Sequence, residues 1–146
     1  MEPIEQAPGC FAVSIIGYLA VFAAKILIVE DEPFIAIDLA EHVRDWGGAV
    51  VGPFPRAALA LDYLGSERPA GAIVDANLPD GVSTSVLERL CQADVPVVLY
   101  TGRGASAEVL AACRHLRVLI KPAVTNAVVG ALVEEIEKAG GFRLRN

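Results

Sequence analysis

The chain of 146 residues is 54% hydrophobic and 21% charged, one domain's worth of sequence with ample apolar material for a core. A net charge of −6 argues against nucleic-acid binding through the bulk field, because neutralising phosphates takes a surplus of Lys and Arg. Cys10, Cys91 and Cys113 form neither a C-x-x-C pair nor a Cys/His cluster, so zinc is not expected and the three read as reduced thiols of a cytosolic protein.

Residues 1–9 are polar, with Pro3, Pro8 and Gly9, and read as a loose lead-in. Residues 10–24 carry no charge. Glu2 and Glu5 ahead of them have the wrong sign for the n-region of a signal peptide. About 15 residues of helix rise only roughly 22 Å, against roughly 30 Å of hydrocarbon. The extension over 1–24 is expected to be apolar and helical. It would pack on the domain, pair two copies of the chain, or derive from translation upstream of the natural start; membrane contact is not favoured.

From Lys25 the pattern changes. Ile26-Leu27-Ile28-Val29 predicts a strand that runs into Glu30-Asp31. Pro33 suits a first helical turn, and Phe34 to Trp46 follows as a helix with Ile35, Leu39, Val43 and Trp46 inward. Gly47-Gly48 ends it. Ala49 to Gly52 is a second strand and Arg56 to Leu64 a second helix. Ala72-Ile73-Val74 is a third strand, ending on Asp75 before a turn of Asn77, Pro79, Asp80 and Gly81. Ser83 to Ala93 is a third helix, with Val86, Leu87 and Leu90 inward. Pro96 to Tyr100 is a fourth strand and Ser106 to Leu116 an alanine-rich fourth helix. Arg117 to Ile120 is a fifth strand, running into Lys121-Pro122. Thr125 to Lys138 is a last helix with Val128, Val129, Leu132, Val133 and Ile136 on one stripe. A short basic tail over 140–146 closes the chain.

Strand and helix thus alternate five times. Short, continuous, apolar strands are those of a parallel sheet covered on both faces, so an α/β, doubly wound sheet with right-handed crossovers is expected. Ligands of such sheets sit outside the carboxyl ends of the strands. Those ends carry Glu30 and Asp31, then Asp75, then Thr101, then Lys121. Clustered carboxylates with a backbone carbonyl and waters suit Mg²⁺. Asp75 is then a candidate carboxylate nucleophile that forms an acyl phosphate. Lys121 and Thr101 can meet phosphoryl oxygens as a point charge and a hydrogen-bond donor, and phosphoryl transfer depends mostly on such placement and charge.

Together, I-L-I-V-E-D-E-P, I-V-D-A-N-L-P-D-G, V-V-L-Y-T-G and V-L-I-K-P resemble the receiver domain of two-component response regulators, over about residues 25–139. The resemblance implies a flavodoxin-like sheet of strand order 2-1-3-4-5. It implies that Asp75 accepts a phosphoryl group from a sensor histidine kinase or a histidine phosphotransfer protein. Asp31 and Asp75 would ligate Mg²⁺ directly, Glu30 through water and Asn77 through its backbone carbonyl. Thr101 would be the switch hydroxyl, Lys121 the phosphate-binding lysine, and Lys121–Pro122 a cis bond. The domain would promote its own phosphorylation and dephosphorylation without being a conventional enzyme.

Three features depart from the family pattern. Val118 stands where the aromatic switch residue usually lies, three positions before the lysine, and Tyr100 is the nearby aromatic that could take part instead. The loop after Asp75 reaches Gly81 early. Gly102 and Arg103 follow the switch hydroxyl. The expectation is a cytoplasmic, single-domain response regulator, a phosphoryl shuttle or a switch that binds a downstream protein. The alternative is a receiver-shaped adaptor, dimerised through its extension and not switched by phosphorylation. An aspartyl-nucleophile phosphatase is disfavoured because Asn77 replaces its second aspartate. A P-loop nucleotidase lacks its motif here.

Overall fold

Alternate residues of each central strand are sorted into two different cores. Ile26 and Ile28 pack with Leu39 and Val43 and with Val128, Leu132 and Ile136. Leu27 and Val29 pack with Ala60, Leu87, Leu90 and Val109. Side chains of a strand alternate between faces, so a strand apolar at every position must be covered on both sides. The four residues Ile26–Val29 are at most 2% exposed.

The computed structural model describes residues 21–113 and 116–140. Its main sheet is built from β1 (Lys25–Val29), β2 (Ala49–Phe54), β3 (Gly71–Val74), β6 (Val97–Thr101) and β7 (Arg117–Ile120). These pair in parallel in the order β2-β1-β3-β6-β7. Among the five long strands this is the expected 2-1-3-4-5. The numbering advances because a small antiparallel pair, β4 (Asn77–Leu78) and β5 (Gly81–Val82), is inserted after β3. Helices α1 (Pro33–Asp45) and α5 (Thr125–Lys138) cover one face; α2 (Ala57–Leu64), α3 (Thr84–Gln92) and α4 (Ala107–Ala112) cover the other. The extension expected over 1–24 lies outside the described residues as far as residue 20, and the tail from residue 141.

The β4-β5 hairpin occupies the expected Asn-Pro-Asp-Gly turn, with Leu78 paired to Gly81 across Pro79-Asp80. Asp80 accepts the backbone N–H groups of Ala57 and Ala58 at 2.9 and 3.0 Å. It thereby caps α2 from a distant part of the chain, satisfying donors that a helix start leaves open. These bonds hold the Asp80 carboxyl below its ordinary pKa.

Two expectations need correction. The fourth helix stops at Ala112, four residues before Leu116, and is opened by Ser106, whose Oγ accepts the Val109 N–H at 3.2 Å. An alanine-rich stretch with little apolar stripe has little packing to sustain a longer helix. The last strand is the edge that the expected order requires, with Ile120 half exposed. Finally, Cys91 and Cys113 are joined in a disulfide, their Cα atoms 5.7 Å apart; they are not separate thiols. A separation of 22 residues conceals that the ends of α3 and α4 meet in space.

Candidate functional site

The ladder aligns the ends of its strands. Val29 pairs with Val74, Val74 with Leu99, and Thr101 with Ile120. One further backbone bond follows on each side: Asp75 N–H donates to Val29 O at 2.9 Å and Lys121 N–H to Thr101 O at 2.8 Å. The residue after each strand is therefore fixed by the sheet.

At this edge carboxylate oxygens of Glu30, Asp31 and Asp75 lie within 4.8 Å of one another. Into the cluster comes the Lys121 amine, 2.9 Å from Glu30 Oε1 and 2.9 Å from Asp75 Oδ2. Both acids are buried, Glu30 at 3% and Asp75 at 6% exposure, and buried charge demands a partner. Loss of water pushes the Glu30 carboxyl above its usual pKa, against the pull of the Glu32 N–H and of Lys121. Burial acts to lower the Lys121 amine, but the carboxylates of Asp75 and Glu30 outweigh it and raise its pKa.

Of the residues expected at the site, Glu30, Asp31, Asp75 and Lys121 are brought into one cluster. Thr101 is fully buried at the end of β6, and its hydroxyl has no hydrogen-bond partner. Asn77 enters through its amide, which donates to Asp75 Oδ1 at 3.0 Å. Each Asp75 oxygen thus has one donor, Asn77 N–H on Oδ1 and Lys121 on Oδ2, and each retains a free lone pair. The Lys121–Pro122 bond is cis, as the resemblance implies, and so is Gly52–Pro53. Val118 lies half-buried against the α2–α4 layer.

Two neighbours escape a reading by motif. Glu32 Oε2 is 3.3 Å from Lys121 Nζ; the only signal was a third acid in E-D-E, which a helix start explains equally well. The Tyr100 hydroxyl donates to Ala123 O and accepts from Ala123 N–H, both at 3.0 Å. Its ring centroid is 5.5 Å from Lys121 Nζ.

Residues 26–132 match the response regulator receiver domain family, and the chain belongs to that family. Over 82 residues it is 38% identical to the phyllosphere-induced regulator PhyR of Methylorubrum extorquens, a stretch that is 54% of this chain and 31% of that relative. The chain therefore spans about a third of that relative's length. Its fold is similar to a CheY-like receiver domain protein of Methanospirillum hungatei, with TM-score 0.69, 24% identity and coverage of 80% of this chain and 95% of that one. It is also similar to the receiver domain of the sensor histidine kinase PA1611 of Pseudomonas aeruginosa, solved with a magnesium ion coordinated in its active site cleft. There the TM-score is 0.68 at 20% identity, covering 79% of this chain and 98% of that one. Among the described residues no helix is long and apolar enough to cross a membrane.

Proposed function

We propose that the chain is a phosphoacceptor receiver in which Asp75 takes a phosphoryl group from a histidine kinase or a histidine phosphotransfer protein. The observation that carries this reading is the Lys121 amine 2.9 Å from Asp75 Oδ2, inside a cluster of three acids of which Glu30 and Asp75 are buried. In the transfer, a carboxylate oxygen of Asp75 forms the new P–O bond as the P–N bond of the phosphohistidine breaks. The imidazole nitrogen leaves with the electron pair and takes up a proton. Lys121, already poised on Asp75, exchanges a carboxylate oxygen for a phosphoryl oxygen, and Thr101 offers its unpartnered hydroxyl to another. Hydrolysis reverses the change: water attacks phosphorus, the P–O bond to Asp75 breaks, and inorganic phosphate leaves.

The donor set fits Mg²⁺, because three carboxylates within 4.8 Å of one another are hard oxygen ligands. Asp31 and Asp75 would hold the ion directly, Glu30 through water and Asn77 through its carbonyl. When bound, it supplies positive charge that offsets the repulsion between these acids and a phosphoryl group. We place the receiver unit at residues 25–139, flanked by the apolar extension and the short tail, in the cytoplasm of a bacterium. It would act as a shuttle or as a switch for a downstream protein. In a reducing compartment Cys91 and Cys113 would stand as two adjacent thiols, which the phosphoryl chemistry does not use.

Incubation with acetyl phosphate and Mg²⁺, followed by intact mass, tests the reading. A single phosphoryl adduct that is absent from Asp75→Asn supports it. A chain that stays unmodified points to the second reading, an adaptor not switched by phosphorylation. Val118, in the place of the usual aromatic, favours that second reading. Equal monomers with and without residues 1–20, sized in solution, would remove pairing through the extension.

A further inference from the structure

We propose that Tyr100 is the positioning residue for Lys121, holding the Lys121–Ala123 turn so that the amine stays on the Asp75 carboxylate. The inference rests on the phosphoacceptor reading and adds one residue to it. Three contacts support it. Lys121 is tied at its own amide to Thr101 O at 2.8 Å. Two residues on, Ala123 is tied by both its backbone groups to one hydroxyl, that of Tyr100, at 3.0 Å each. Between these fixed points the lysine side chain runs past the Tyr100 ring, its Nζ 5.5 Å from the centroid, within cation–π range. The turn is therefore fastened at its start and its finish to consecutive residues of one strand, β6. Tyr100 is itself held in the α1/α5 core at 3% exposure, so its hydroxyl has a rigid base. No bond within a helix or the sheet would take over, since Ala123 precedes α5.

Phenylalanine keeps the ring and removes the hydroxyl, leaving the Ala123 N–H and C=O without the bonds they have now. In Tyr100→Phe the Ala123 amide should exchange with deuterium faster than in the parent chain. With acetyl phosphate and saturating Mg²⁺, the maximal rate of Asp75 phosphorylation per folded molecule should fall about tenfold, less than the roughly hundredfold that a full 1 Å misplacement can cost, with little change in the half-saturating donor concentration. In a Lys121→Met background the same substitution should change the rate by less than twofold, because a residue acting through Lys121 has nothing left to act on. An equal slowing in both backgrounds overturns the proposal, as does Tyr100→Phe at the parent rate. In the unsubstituted chain, an Ala123 amide that exchanges as fast as exposed loop amides also overturns it, whether or not the variant folds. A parent chain that takes no phosphoryl group sinks the phosphoacceptor reading and the rate claim with it. The Ala123 exchange then still reports whether the clamp exists.

Discussion

Lys121 Nζ sits between Asp75 Oδ2 and Glu30 Oε1, 2.9 Å from each, and so neutralises charge in a cluster where all three acids lie close together. Lys121→Met leaves buried carboxylates facing one another. Breaking a buried pair costs roughly 3–5 kcal/mol. Chemical unfolding should show the loss. Added Mg²⁺ should raise the midpoint of the variant more than that of the parent. A variant as stable as the parent without metal would show that the lysine is not needed to hold the acids together.

Asp80 supplies a pH dependence of known sign. Its folded pKa is lowered below 3.8 by the N–H groups of Ala57 and Ala58. Its contribution to stability is full above that value and is lost as the pH falls through the lower, folded pKa. Asp80→Asn should therefore unfold at lower temperature than the parent near neutrality, and the gap should close in acid. Thermal melts at several pH values check this. A gap that widens in acid would contradict the assignment.

Gly52 has φ +94°, and a Cβ there would lie 2.9 Å from Ile28 O and 2.7 Å from Phe54 N. Both obstacles are backbone, so neither can swing aside. Gly52→Ala should cost about 1–3 kcal/mol and reduce the yield of folded protein, whereas Gly81→Ala meets no atom within 4 Å and carries only the cost of its positive φ. Parallel denaturant titrations of the two variants measure the difference.

The Cys91–Cys113 link closes a loop between α3 and α4. For a loop of this size the loss of chain entropy in the unfolded state is worth about 3 kcal/mol. Oxidised protein should melt higher than reduced protein, and Cys91→Ser should melt with the reduced form under both conditions. Intact mass before and after reduction identifies the species, since the bonded form is two hydrogens lighter.

What could be read from the sequence follows from what is periodic. Thr125 to Lys138 has a sustained apolar stripe, and the helix has those same bounds. Glu30, Asp31, Asp75 and Lys121 could be gathered in advance because parallel strands deliver their ends to one edge. The hairpin at Asn77–Val82 is not legible in the sequence, since strands of two residues have no period to display. Tyr100 is legible as an aromatic, but its bonds to Ala123 join a side chain to backbone and leave no trace in composition. Cys91 and Cys113 became partners only when two helix ends were placed side by side.

Val21 is 2% exposed and belongs to the core beneath α1. Close by, Ala23 N–H donates to Gly47 O at 2.7 Å and Ala49 N–H to Ala24 O at 2.8 Å. The limit of the domain set by hydrogen-bonded strands, at Lys25, is thus not the limit set by packing. A protein trimmed to its first strand would lose a buried side chain of that core and the bonds that Ala23 and Ala24 make to Gly47 and Ala49. Any shortened form meant to isolate the signalling unit should begin no later than Val21.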